Sequence, residues 1–220
     1  MNCKNCGAEI ERNANFCTKC GRPVAYSIEP RRGGSRFIDY YKKLTNPIID
    51  NYIIFDFETT GLNPRTDRVI EIGALKVKNS VVIDSFSTLI NPKKNITKKI
   101  SELTGITSDM LIDAPFEETV FYDFLDFIGD DMLVAYNVNF DINFLGETLK
   151  RIGVTSAKID YFDAMGLSKL NFPNLENYKL CTVVKSLNPN FVQEHRALSD
   201  CYAVKEILDR ITITKDMLSR

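Results

Sequence analysis

Tyr52-Ile53-Ile54-Phe55-Asp56-Phe57-Glu58, running on into Thr59-Thr60-Gly61-Leu62, is a continuous apolar stretch with two carboxylates set into it. Such a run reads as a buried strand ending in a loop. Strand side chains alternate with period two, so Asp56 and Glu58 share one face while Phe55 and Phe57 take the other. Two acids side by side at the end of a buried strand are costly unless a cation compensates them. A lone Asp-x-Glu is better read as a solvent-facing strand end, so the rest of the chain has to decide.

Two more acids stand at helix starts. Met132 to Tyr136 reads as a second buried strand, and a helix begins near Asn139 with Ile142, Leu145, Leu149 and Ile152 on one face, which puts Asp141 in its first turn. His195-Arg196-Ala197-Leu198-Ser199-Asp200 opens a last helix whose inner face is Ala197, Cys201, Val204 and Leu208. Each acid taken alone is explained by the helix dipole, and His195 alone by an ordinary loop imidazole. Phe116, Val120, Phe124, Leu125 and Ile128 form another helix stripe, read as core, and Cys181 and Cys201 read as inert core thiols.

The joint pattern decides. Asp-x-Glu on a first buried strand, Asn-x-x-Phe-Asp opening a middle helix and His-x4-Asp opening the last resembles the DEDDh, or DnaQ-like, family of 3′–5′ exonucleases. That group contains the proofreading epsilon subunit of bacterial DNA polymerase III, ribonuclease T and oligoribonuclease. Arg68 to Ala74, Ile100 to Thr107 and Asn177 to Leu180 also look like the family, and the likeness covers about residues 50 to 213. It implies an α/β fold of RNase H-like type, a mixed β-sheet flanked by helices. By resemblance, Asp56, Glu58, Asp141 and Asp200 hold two Mg²⁺ or Mn²⁺ ions, with Asp56 as the bridge, and His195 is the general base for attack of water on the terminal phosphodiester. The products implied are nucleoside 5′-monophosphates. Thr59, Thr60, Gly61 and Leu62 match the stretch that holds the 3′-terminal nucleotide through backbone groups and an apolar wedge, with Asn137 and Phe140 lining the same pocket. One departure is Tyr136, where many members carry histidine; altered substrate contact is expected there. The implied substrate is nucleic acid with a 3′ end, single-stranded DNA favoured over RNA, and a polymerase is one partner to consider. A rival of another class is a non-catalytic adaptor that grips a 3′ end or a protein.

The first 50 residues differ in character. Cys3-Lys4-Asn5-Cys6-Gly7 and Cys17-Thr18-Lys19-Cys20-Gly21 repeat a CxxCG unit, and four thiolates from two such turns make the closed tetrahedral set of one structural Zn²⁺. A redox CxxC would need a thioredoxin-like setting, and a disulfide a secreted chain; neither fits Asn13-Ala14-Asn15 and the absence of a signal sequence at Met1. The segment resembles small N-terminal zinc ribbons. The expected organisation is a ribbon over 1–25, a basic linker over 26–49 containing Arg31-Arg32 and a short helix from Phe37 to Leu44, the exonuclease-like domain over 50–213, and a tail over 214–220.

The 220 residues are 44% hydrophobic and 26% charged, values of a globular protein, and no apolar run reaches membrane-helix length, so a cytoplasmic chain is expected. The net charge of −1 conceals an asymmetry: residues 1–50 carry nine basic and five acidic side chains, and the remainder 19 and 24. An acidic domain that binds a polyanion needs local positive charge. Bound cations would supply it, with Lys93, Lys94, Lys98 and Lys99 as rim contacts and the ribbon and Arg31-Arg32 adding affinity.

Overall fold

A computed structural model describes residue 9 and residues 41–43, 51–154 and 157–211. The chain divides into two units, Met1–Phe37 and Ile38–Arg220, and the second carries the sheet and its helices. Its elements are β1 (Tyr41–Lys43), β2 (Asn51–Thr59), β3 (Val69–Lys78), β4 (Val81–Leu89), α1 (Lys98–Thr104), α2 (Ser108–Ile112), α3 (Glu117–Ile128), β5 (Met132–Ala135), α4 (Asn139–Arg151), β6 (Ile159–Asp163), α5 (Ala164–Asn171), α6 (Leu180–Leu187) and α7 (Ala197–Arg210). One mixed sheet runs β1-β6-β5-β2-β3-β4. β2, β3 and β4 form an antiparallel meander, whereas β5 and β6 join β2 in parallel. Parallel pairing needs a crossover, and the amphipathic α4 supplies the one between β5 and β6.

β2 lies at the sheet's centre with both faces covered, which is why it reads as one apolar run. Tyr52 and Ile54 pack with Leu75, Val77, Val183, Val204 and Ile207, under α6 and α7. On the opposite face Phe55 and Phe57 meet Phe121 and Phe124 of α3, with Phe55–Phe57 centroids 5.2 Å apart and Phe57–Phe121 5.8 Å. Burial of each such ring contributes roughly 1.5–3 kcal/mol, enough to hold the strand in register against the carboxylates at its end. The expected alternation along Phe55–Glu58 is therefore what the sheet shows.

Three expectations change. Tyr41–Lys43, read as part of a helix over 37–44, is an edge strand paired in parallel with β6. Backbone pairing along β6, which no local pattern reveals, overrides helical spacing; the rest of that segment lies outside the described residues. On α3 the buried stripe is Val120, Phe121, Phe124 and Ile128, while Phe116 precedes the helix, half exposed beneath the Lys93 ammonium. Cys201 is a buried thiol whose pKa is pushed up chiefly by burial, but Cys181 is only partly covered. Cys3, Cys6, Cys17, Cys20, the linker arginines and the tail from 214 lie outside the described residues. Among the described residues no helix is long and apolar enough to cross a membrane.

Candidate active site

The carboxylates converge at one end of β2. Asp56, Glu58 and Asp200 each bring a carboxylate oxygen within 4.8 Å of the others. Asp141 joins from the first turn of α4, where one of its oxygens accepts the Phe57 backbone N–H at 3.1 Å. Asp141 and Asp200 are buried, 2% and 6% exposed. The helix dipole accounts for exposed first-turn acids; it does not account for burying two of them against two more.

The helices that carry these acids start alike. Asn137 and His195 each stand two positions before their helix and each adopts a positive φ, 61° and 50°. Asn and His are among the few side chains that tolerate this region, so the sharp turn into each helix is written locally. Gln193 Nε2 then donates to Asp200 Oδ2 at 2.9 Å.

Electrostatics explain what the cluster requires. Glu58 is pushed up to about 9, by burial first and then by Asp56, Asp200 and Glu71, with Arg196 opposing. Burial followed by Asp200 and Glu71 raises Asp56; burial and Asp56 raise Asp141, against the Phe57 N–H bond. Burial also raises Asp200, while Gln193 and His195 pull it down. Four carboxylates so placed resist joint ionisation unless a cation sits among them. Asp200 Oδ1 is buried without a hydrogen-bond partner, and a coordinated cation would satisfy it. An all-oxygen donor set suits a hard divalent ion such as Mg²⁺ or Mn²⁺.

A fifth acid was not singled out from the sequence. Glu71 lies directly across the β2–β3 ladder from Glu58 and is 2% exposed. Arg196 answers it: Nε lies 3.0 and 3.1 Å from its two oxygens, Nη2 also donates to Oε1, and the Ala197 N–H donates to Oε2 at 3.0 Å. Beside it α7 touches β3 so closely that a Cβ on Gly73 would lie 2.2 Å from Leu198 N. The pair and the glycine together seat the segment that carries His195 and Asp200. The signal was present, since Glu71 interrupts Val69-Ile70-Glu71-Ile72 just as Asp56 interrupts β2.

The other site residues separate. The Thr59 hydroxyl donates to the Gly61 carbonyl at 2.6 Å, and the Thr60 hydroxyl bonds Asp67 and accepts the Arg68 N–H, so both shape their own loop. Leu62 projects from it, 84% exposed. Asn137 lines a cavity with His195, whereas Phe140 packs on Phe144 at 4.9 Å and lines no part of that cavity. Tyr136 donates its hydroxyl to the Tyr178 carbonyl at 2.8 Å, a structural use of the position. Lys93, Lys94 and Lys98 are each paired, with Glu118, Asp67 and Glu102, which weakens their reading as rim contacts.

Comparison with known proteins gives the family and the fold. The exonuclease family model matches residues 53–208. The chain belongs to the DnaQ-like exonuclease family. A zinc-ribbon family model matches residues 2–24, the segment of the doubled CxxCG. Among curated relatives of this exonuclease domain, the PolC-type DNA polymerase III of Halalkalibacterium halodurans is 37% identical over 92% of the chain and 14% of the relative. That of Clostridium perfringens is 42% identical over 72% of the chain and 11% of the relative. The chain thus spans about one seventh or less of the length of these polymerases. Among solved structures, exonuclease X in complex with 5′ overhanging duplex DNA aligns with a TM-score of 0.56 at 24% identity, over 71% of this chain and 88% of that one. Exonuclease I of E. coli in complex with a dA16 oligonucleotide aligns at 0.66 and 17%, over 77% and 42%. At these identities the structures speak for the fold, which is RNase H-like.

Proposed function

We propose that this chain is a metal-dependent 3′–5′ exonuclease that shortens single-stranded nucleic acid, DNA in preference to RNA, releasing nucleoside 5′-monophosphates. The observation that carries this is the convergence of Asp56, Glu58 and Asp200, with an unpartnered buried oxygen on Asp200, in a chain whose relatives are PolC-type DNA polymerases. Asp56, Glu58, Asp141 and Asp200 would hold the divalent cations, Mg²⁺ or Mn²⁺. When bound, the cations supply Lewis-acid stabilisation of negative charge on the phosphate and the oxygens around it.

The protein's own groups do the rest. His195 accepts a proton from the attacking water, whose oxygen bonds to phosphorus as the P–O3′ bond breaks and the leaving 3′-oxygen takes a proton from solvent. Gln193 fixes the Asp200 carboxylate by its hydrogen bond. The Glu71–Arg196 pair positions the loop that carries His195. The Thr59–Leu62 loop holds the 3′-terminal nucleotide, with Leu62 wedged against its base. Cys3, Cys6, Cys17 and Cys20 hold a Zn²⁺ in the ribbon, which adds affinity for the polyanion, and kinship with PolC-type proteins favours work beside a DNA polymerase.

The test is incubation of 5′-labelled single-stranded DNA and RNA with Mg²⁺ or Mn²⁺, with Asp56→Ala and His195→Ala as controls. Stepwise loss of single nucleotides from the 3′ end of DNA, abolished in both variants, supports the reading. Shortening of RNA alone reverses the sugar preference, and metal binding without cleavage of either favours the adaptor.

A further inference from the structure

The cavity that His195 shares is larger than one imidazole requires. It measures about 660 Å³ and is walled by Tyr136, Met165, Lys169, Tyr178 and Lys179 together with His195. We infer that it holds the nucleotides immediately 5′ of the scissile phosphodiester, with Lys169 and Lys179 pairing with their phosphates and the tyrosine rings bearing on sugar and base. This rests on the exonuclease reading above and assigns the strand's path through that site.

Three observations carry it. The first is charge. On the surface lined by Thr66, Arg68, Lys93, Lys94, Glu117 and Arg151 the basic side chains already have acidic partners, Arg68 and Arg151 with Glu117, Lys93 with Glu118 and Lys94 with Asp67. Lys169 and Lys179 are both exposed, and among the described residues neither appears in an ion pair. No carboxylate lines their cavity. A polyanion therefore meets uncommitted ammonium groups here and matched pairs at the Lys93–Lys94 rim.

The second is topology. The Thr59–Leu62 loop connects β2 to β3, on one side of the central strand. The cavity is built from the ends of β5 and β6 and the start of α6, on the other side. The acids stand between. A strand whose 3′-terminal nucleotide sits at Leu62 and whose scissile phosphate lies at the acids must continue toward β5 and β6.

The third is rigidity. The Tyr136 hydroxyl is tied to the Tyr178 carbonyl at 2.8 Å, and the Tyr178 hydroxyl to the Phe172 carbonyl at 2.9 Å. Both phenols are committed to the backbone of the 172–178 segment, so the rings are fixed walls that need no ordering when a strand arrives. Aromatic faces beside lysines suit single strands without regard to base. This also explains what Tyr136 does at its position: it builds the wall.

The experiment uses the full-length protein with 5′-fluorescein dT10 carrying a 3′-terminal phosphorothioate, followed by anisotropy in Mn²⁺ between 50 and 200 mM KCl. Each phosphate contact to a single strand contributes about 0.7 to the slope of log affinity against log salt, equivalent to about eightfold in affinity at 50 mM. Lys169→Gln and Lys179→Gln are each expected to weaken binding by about that factor, and the double variant to lower the slope by about 1.4. A double variant with wild-type affinity and slope overturns the proposal. Unmodified dT10 is assayed in parallel: wild-type protein that binds it and releases no mononucleotide refutes the exonuclease reading, while the anisotropy result still decides the subsite.

Discussion

Replacing Arg196 by alanine should destabilise the protein by leaving Glu71 without its cation. Glu71's side chain is 3% exposed and lies opposite Glu58, while the Arg196 side chain is 40% exposed. Unpairing a fully buried charge typically costs about 3–5 kcal/mol; water already reaches the guanidinium, and the Ala197 N–H still bonds one oxygen, so about 2–3 kcal/mol is expected. For a chain of this size that lowers Tm by about 4–12 °C. Glu71→Gln in the same background removes the orphaned charge, and the double variant should recover much of the loss. The assay is chemical and thermal unfolding of wild type, both single variants and the double variant after chelator treatment, read as a double-mutant cycle. Because the pair seats the loop bearing His195, kcat should fall more than KM rises in Arg196→Ala. If Arg196→Ala is as stable as wild type, or the double variant is no better than the single, the pair is a surface contact and the positioning argument fails.

Burial raises Asp56, Glu58, Asp141 and Asp200, Glu58 to about 9. The metal-free folded state therefore holds more protons than the unfolded chain between the ordinary carboxylate value of about 4 and about 9, and its stability should fall as pH rises across that window. Glu58→Gln should flatten the fall, and melting curves in which the two proteins keep the same pH slope would contradict the assignment. Gly73→Ala forces a methyl against the Ala197–Leu198 backbone and should cost about 1–3 kcal/mol with a loss of activity; an unchanged Tm would show that α7 moves freely on β3. His195→Asn keeps a side chain that tolerates the positive φ while removing the base, so kcat should drop by about 10²–10⁴ with stability unchanged. Turnover equal to wild type would assign the proton to another group.

The strand–carboxylate pattern of β2, the helices opening at Asn139 and Ala197, and the presence of His195 were all legible in the sequence, because period-two and period-3.6 burial are local properties of the chain. The four acids were singled out only by the resemblance of their joint pattern to a known family, since each alone reads as a strand end or as an acid placed by the helix dipole. Contacts between distant segments were not legible. That Glu71 belongs to the site follows only from the β2–β3 register and from the guanidinium of a residue 125 positions away. That Lys93 and Lys94 are matched while Lys169 and Lys179 stand over a cavity follows from where α3, α5 and α6 carry their side chains. Tyr41–Lys43 became a strand because β6 presented an edge to pair with. The sequence determined which chemical groups the protein owns and which faces they occupy; only folding set which charges neutralise one another, because that depends on distances between segments no local pattern encodes.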